Sequence, residues 1–255
     1  MAELVYPPMI AVARAVFAGL GIRFTVSGAE HVPRTGGAVM AVNHVGYLDF
    51  TFAGLAARPA GRLVRFMAKK EIFDHPVAGP LMRGMRHIEV DRTGAVADSY
   101  RRAITSLAEG EIVGVFPEAT ISESYDLKEF KTGAVRLALE ASVPVLPVVL
   151  WGSQRIFTKG RPPVLTRGTP VRIVIGEPYA LPAGSDPVAA TADLKARMGR
   201  LLDEARSTYA GAPRTPDDTW WIPRTVGGTA PTIEEAAELN VARARARAAR
   251  KAARH

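Results

Sequence analysis

A histidine and an aspartate stand five positions apart in the run Asn43-His44-Val45-Gly46-Tyr47-Leu48-Asp49. In a strand, side chains at that spacing point to opposite faces, and in a helix they sit well apart around the barrel. The two meet only if a turn lies between them, and Gly46 supplies a flexible point for one. An aspartate that accepts from one ring nitrogen fixes the histidine tautomer and leaves the other nitrogen as a base. The alternative is that Asp49 caps a helix and His44 is an ordinary loop histidine. Asp is a favoured cap, although no Glu or Gln follows three residues later to complete a capping box.

Other residues that could carry chemistry lie downstream. Asp91-Arg92 follows the short alternating run Ile88-Glu89-Val90. Glu118 and Thr120 sit in the turn Phe116-Pro117-Glu118-Ala119-Thr120, which ends the apolar run Ile112 to Phe116. Singly these are ordinary features: an arginine after a strand is most often a surface ion pair, and a turn glutamate is usually solvated.

The elements around these residues predict how they come together. Gly37 to Val42 reads as a short buried strand and Leu48 to Ala57 as an apolar helix. His44 therefore leaves the carboxyl end of a strand, with Asp49 in the first helical turn beyond. Further strands are predicted at 23–27, 65–69, 88–90, 112–116, 143–150 and 171–175. Helices are predicted at 76–84, 93–107, 132–142 and 187–209. The two prolines of Val143-Pro144-Val145-Leu146-Pro147-Val148 argue for a sheet edge or an irregular entry. Alternating strands and helices predict an α/β fold: a single domain with a mixed, mostly parallel sheet flanked by helices. Ligands of such sheets bind beyond the carboxyl ends of the strands, where His44, Arg92 and Glu118 each fall.

Composition narrows the function. With 33 basic and 25 acidic side chains the net charge is +8, which favours anionic partners. The chain contains no cysteine, which removes disulfides, thiolate nucleophiles and cysteine-based zinc sites. His31, His75 and His87 lack the spacing of a shared ligand set, and no G-x-S-x-G elbow is present, so neither a metal nor a serine nucleophile is expected.

Taken in order, four stretches resemble the motifs of the glycerolipid acyltransferases, the family of 1-acyl-glycerol-3-phosphate acyltransferases. Asn43, His44 and Asp49 match N-H-x-x-x-x-D, and Asp91-Arg92 matches the D-R end of the second motif. Phe116, Pro117, Glu118, Thr120 and Ser122 match F-P-E-G-T-R-S, and residues 143–148 match the V-P-[IV]-[IVL]-P-V run. The lysine-containing stretch Ala68-Lys69-Lys70-Glu71-Ile72-Phe73 is also similar. The resemblance spans residues 20–180. Two positions depart from it: Ala119 stands where the family usually has Gly, and Ile121 where it usually has Arg.

The resemblance implies direct acyl transfer from acyl-CoA or acyl-carrier protein to the hydroxyl of a lysophospholipid, with no resident cofactor. His44 would be the base and Asp49 its orienter. Arg92 would hold the acceptor phosphate, and Glu118 would hold glycerol hydroxyls or orient Arg92. Asn43, Lys69 and Thr120 are further substrate-binding candidates. Lys69, Lys70 or Arg86 could replace the cation missing at Ile121. Rival readings are another acceptor, such as a glycolipid or glycerol 3-phosphate, and a non-enzymatic basic protein that binds membranes or nucleic acid. No nucleic-acid motif supports the last, and nucleic acid is not expected as a partner.

The ends of the chain bear on location. Met9 to Leu20 is apolar but short, with Arg14 inside it, so it predicts an amphipathic helix that lies on a membrane or packs on the core rather than spanning a bilayer. The expected segments are a membrane-contacting helix at 1–22, the acyltransferase domain at 23–210, and a Trp/Pro/Gly loop with an Arg-rich helix at 211–255. Trp220-Trp221 predict that this loop is ordered, and Thr232-Ile233-Glu234-Glu235 forms a capping box opening the basic helix. The expected location is peripheral, on the cytoplasmic face of the cell membrane and against its anionic surface.

Overall fold

The central strands of this protein are short, apolar and buried on both faces, which is the pattern of a sheet covered by helices on each side. The structure, a computed structural model, describes residues 3–91 and 96–252. The strands are β1 (Arg23–Ser27), β2 (Ala38–Val42), β3 (Val64–Lys69), β4 (Ile88–Val90), β5 (Ile112–Val115), β6 (Val145–Trp151) and β7 (Pro170–Ile175). The helices are α1 (Tyr6–Gly19), α2 (Asp49–Ala56), α3 (Lys70–Phe73), α4 (Ala78–Gly84), α5 (Val96–Ala108), α6 (Gly133–Glu140), α7 (Pro187–Ser207) and α8 (Ile233–Ala252).

One seven-stranded sheet runs in the order β1-β7-β6-β2-β5-β3-β4. The five strands from β6 to β4 are mutually parallel; β7 is antiparallel to β6, and β1 is parallel to β7. The carboxyl ends of β2, β5, β3, β4 and β6 thus share one edge.

Alternation along the strands divides the core. Val39 and Ala41 of β2 join Ala103, Leu107, Val135, Ala138, Leu194 and Met198 beneath α5, α6 and α7. Ala38, Met40 and Val42 point the other way, towards Phe52 of α2 and Phe17 of α1. Phe17 and Phe52 stack with ring centroids 4.6 Å apart. Helix α1 is also tied by Tyr6, whose hydroxyl donates to the Val64 carbonyl at 2.8 Å. Burial pushes that phenol up to about 12. So α1 packs on the core, yet its outward face keeps Val12 and Val16 exposed.

The sheet-edge reading of the proline run is overturned. β6 lies inside the sheet, between β7 and β2. Pro144 precedes the strand and its carbonyl accepts from Val39 N at 3.0 Å. Pro147 sits where β7 has already ended: its carbonyl accepts from Gly176 N at 2.9 Å, and β6–β7 pairing begins only at Val148. The missing proline N–H therefore removes no ladder bond, and the irregular entry is the alternative that holds.

The segment before α8 folds back on the domain. Trp221 is buried, with the Arg155 guanidinium 4.1 Å from its ring, and Trp220 takes Arg161 at the same distance. The capping box forms as read: Thr232 N donates to Glu235 Oε2 at 3.0 Å and Glu235 N to Thr232 Oγ1 at 3.2 Å.

Candidate active site

The chain leaves β2 through Asn43, whose side chain is fully buried. Its amide nitrogen donates to the Leu150 carbonyl at 3.0 Å and its oxygen accepts from Leu150 N at 2.7 Å. One side chain thus extends the β2–β6 ladder past the end of the strand and fixes the point where His44 turns out.

His44 Nδ1 lies 3.0 Å from Asp49 Oδ2. The same oxygen accepts from Val45 N and Gly46 N at 2.7 Å each, and Oδ1 accepts from the Ser153 hydroxyl at 2.6 Å. A carboxylate only accepts, so Nδ1 carries the hydrogen and Nε2 is left with its lone pair. Asp49 does not cap its helix. The N-cap of α2 is Leu48, without a side-chain cap, and the Asp49 carboxylate turns back over residues 44–46. Gly46 matters for space rather than for a positive φ, which it does not have. A Cβ there would lie 3.0 Å from the Phe157 carbonyl oxygen and 3.3 Å from Asp49 Oδ1.

The imidazole stacks on Phe116 with centroids 4.1 Å apart and planes at 22°. Its side chain is one-fifth exposed while Asp49 is fully buried. One edge of the ring is thus held by Asp49 and one face by Phe116, and one-fifth of the side chain stays exposed.

The backbone around His44 is equally tied. His44 N donates to Glu118 Oε1 at 2.9 Å, and the His44 carbonyl accepts from Ser122 N at 2.7 Å. Glu118 Oε2 accepts from Lys128 N at 3.2 Å. Burial pushes the Glu118 carboxyl up, against the pull of those two N–H donors and of the Lys128 cation. From the other side, Thr158 Oγ1 donates to the Val45 carbonyl at 2.7 Å and Tyr47 N to the Phe157 carbonyl at 2.9 Å. Loops 116–131 and 152–158 clamp the turn at residues 44–49 between them.

The remaining sequence-derived candidates are placed as follows. Lys69 ends β3 on the same sheet edge as His44 and is exposed, with β5 between β3 and β2. Lys70 pairs with Asp91 at 3.5 Å. Arg92 lies outside the described residues. Thr120 is exposed, and its carbonyl and hydroxyl accept from Lys128 Nζ at 2.7 and 2.6 Å. Ala119 has φ 59°, the left-handed region that favours glycine, which accounts for the glycine usual at that position. The Ile121 side chain is buried. Arg86 cannot supply the cation missing there. It precedes β4, at the opposite edge of the sheet, and pairs with Glu109 and Glu111 at 3.2 Å each.

Two residues were not singled out from the sequence. Lys128 places a cation beside Thr120, with burial lowering its pKa. Ser153 holds Asp49 from the loop after β6. The signal for Ser153 was available, since a polar residue just past the carboxyl end of a parallel strand is what located His44. Nothing in the local pattern distinguishes Lys128 from a surface lysine. Among the described residues no group of three or more His, Asp or Glu could hold a metal ion. The arrangement can take a proton from a hydroxyl brought to Nε2 and stabilise the resulting imidazolium through Asp49.

The chain is similar to known acyltransferases. A family model described as acyltransferase matches residues 23–151. The chain is 33% identical over 153 residues to the 1-acyl-sn-glycerol-3-phosphate acyltransferase of Bacillus subtilis (strain 168), covering 58% of this chain and 70% of that protein. It is 33% identical over 143 residues to the 1-acyl-sn-glycerol-3-phosphate acyltransferase of Limnanthes douglasii, covering 55% of this chain and 49% of that protein. The crystal structure of the 1-acyl-sn-glycerophosphate (LPA) acyltransferase PlsC from Thermotoga maritima superposes with a TM-score of 0.66 at 24% identity, over 80% of this chain and 81% of that one. That likeness shows the fold.

Proposed function

Because the chain belongs to the acyltransferase family, we propose that it moves a fatty acyl group from a thioester to the free hydroxyl of 1-acyl-glycerol-3-phosphate, giving phosphatidate. The observation that carries the chemistry is the His44 ring, held through Nδ1 by a buried Asp49 and itself partly exposed. Nε2 takes the hydroxyl proton as the oxygen attacks the thioester carbonyl. Asp49 holds the imidazolium. The tetrahedral intermediate expels the thiolate, which receives the proton from His44. The donor is acyl-CoA or acyl-carrier protein. The names of the B. subtilis and L. douglasii relatives support the acceptor.

The acceptor brings a phosphate monoester, which needs cations near His44. Arg92 comes two residues after the end of β4 in the sequence, and Lys69 ends the neighbouring β3. The isoleucine at 121 favours testing one rival reading beside this one, an acceptor without phosphate. The outward face of α1, with Val12 and Val16 exposed, the exposed Leu4 just before it, and the net charge of +8 support a peripheral position on the anionic cytoplasmic face of a membrane. No described helix is long and apolar enough to cross a bilayer. The test is mass-spectrometric detection of phosphatidate from lysophosphatidate and palmitoyl-CoA, with glycerol 3-phosphate and a glycolipid acceptor in parallel. Turnover on lysophosphatidate above the others supports the reading; equal or better turnover of the acceptor without phosphate overturns it.

A further inference from the structure

Three consecutive residues past β6, Ser153, Gln154 and Arg155, are all buried although all are polar. Each makes a different connection. The Ser153 hydroxyl donates to Asp49 Oδ1 at 2.6 Å. Gln154 Nε2 donates to the Trp221 carbonyl at 3.3 Å, and Gln154 Oε1 accepts from Gly152 N at 2.8 Å. The Arg155 guanidinium lies 4.1 Å from the Trp221 ring and donates to the Ala212 carbonyl at 3.0 Å, to Asp218 at 3.4 Å and to the Tyr209 hydroxyl at 3.4 Å. The turn itself depends on Gly152 at φ 99°, where a Cβ would lie 2.5 Å from the Pro170 carbonyl oxygen. One face of this turn therefore grips the orienting carboxylate of the catalytic pair. The other grips residues 209–221, which lie outside the segment matched by the family model.

A second connection runs in parallel. Glu123 is buried in the loop that gives Ser122 N to the His44 carbonyl. It pairs with Arg243 of α8 and, at 3.6 Å, with Lys159, which bonds Asn240 of α8. The carboxyl-terminal segment is thus fastened to both loops that clamp the catalytic turn.

We propose that Ser153 is a positioning residue for acyl transfer, fixing the Asp49 carboxylate that orients His44, and that Arg155 and the docked segment 209–221 hold Ser153 in register. Asp49 Oδ2 is shared among three donors, His44 Nδ1, Val45 N and Gly46 N, whereas Ser153 is the one donor to Oδ1 among the described residues. Without that bond the carboxylate is held through Oδ2 alone and can pivot about that oxygen, so the direction of the lone pair facing His44 is less tightly fixed. The effect falls on turnover rather than on substrate affinity, because neither Ser153 nor Arg155 faces the opening at His44. The inference rests on the reading of His44 as the base.

The experiment is a double-mutant cycle on the full chain. Ser153→Ala is expected to lower kcat about 10- to 100-fold with KM unchanged, the equivalent of a lost hydrogen bond to a charged group at about 1.5–3 kcal/mol. Arg155→Met keeps the stem over Trp221 and removes the guanidinium. It is expected to lower kcat by a smaller factor, again with KM unchanged. The double variant is expected within about twofold of Ser153→Ala alone, since coupled residues are not additive. All proteins are assayed at temperatures well below their measured melting points, so lost fold is not read as lost turnover. Arg155→Met does not touch Asp49 and carries the test alone if Ser153→Ala melts too low. Effects that multiply in the double variant, a change in KM instead of kcat, or a normal kcat in Ser153→Ala would overturn the proposal. His44→Ala run alongside separates the two levels. If His44→Ala is active the base reading fails; if it is inactive while Ser153→Ala turns over normally, only the positioning role fails.

Discussion

Replacing Asp49 by asparagine tests what the carboxylate contributes beyond its shape. The amide has one acceptor and one donor end, and the structure dictates which goes where. Oδ2 faces three donors, His44 Nδ1, Val45 N and Gly46 N, so the amide oxygen must occupy that place. The NH₂ then faces Ser153 Oγ, which can reverse its role and accept. Asp49→Asn therefore keeps the turn and the His44 tautomer and removes only the charge. With Nδ1 and Oδ2 3.0 Å apart, the charge centres of an imidazolium and a carboxylate sit about 4 Å apart, worth about 4 kcal/mol at an effective dielectric of ~20. Turnover should fall about 10³-fold with KM nearly constant and stability within about 1–2 kcal/mol of the parent. Asp49→Ala, by contrast, leaves the buried Val45 and Gly46 N–H groups without an acceptor and should cost about 2–6 kcal/mol of stability. Steady-state kinetics and urea unfolding of both variants give the comparison. Parental turnover in Asp49→Asn, or stability losses of equal size in the two, would refute this account of the turn.

Burial depresses His87, whose Nδ1 accepts from Phe66 N at 3.0 Å, from 6.5 to about 4. The unfolded chain takes the proton that the folded state refuses, so this contribution is fully present above pH 6.5 and falls away as the pH drops towards 4, by about 3 kcal/mol in all. Urea midpoints from pH 7 to pH 4 should fall less steeply for His87→Gln than for the parent; parallel curves would contradict the assignment. Arg92→Ala should raise KM for lysophosphatidate by about one to two orders of magnitude, the value of a charge-assisted contact, while KM for the acyl donor moves less; initial-rate kinetics decide it, and an unchanged acceptor KM removes Arg92 from the phosphate site. Sedimentation with anionic vesicles should weaken as salt rises and weaken again in Val12→Ser/Val16→Ser, because α1 presents those side chains outward; equal binding to neutral and anionic vesicles would contradict the electrostatic part.

Local signals carried much of the fold and part of the site. The five-residue gap between His44 and Asp49 demands a turn whatever the rest of the chain does, and the buried runs at 38–42 and 112–115 fit strands covered on both faces. The proline run misled for a definite reason. A proline is forbidden only where its N–H would be needed, and that depends on where the neighbouring strand stops, which no local pattern reports. Gly46 misled similarly: the expected need was conformational, and the actual one is clearance from Phe157 and Asp49. Ser153 and Lys128 reach the site across 104 residues of chain in one case and through the path of a loop in the other, so their roles depend on tertiary placement. Arg86 illustrates the converse. It looked available as a cation near the motifs, but it precedes its strand and so falls on the far edge. The reading as a non-enzymatic basic protein ends with membership of an enzyme family.

The most direct measurement of the central claim is phosphatidate formation by purified His44→Ala from lysophosphatidate and palmitoyl-CoA, beside the parent protein. His44 is one-fifth exposed and its loss leaves Val45, Gly46 and Ser153 still bonded to Asp49, so the variant should fold as the parent does. The account predicts phosphatidate from the parent and turnover at background from the variant with its melting temperature retained. Phosphatidate formed by His44→Ala at a rate near that of the parent would contradict it.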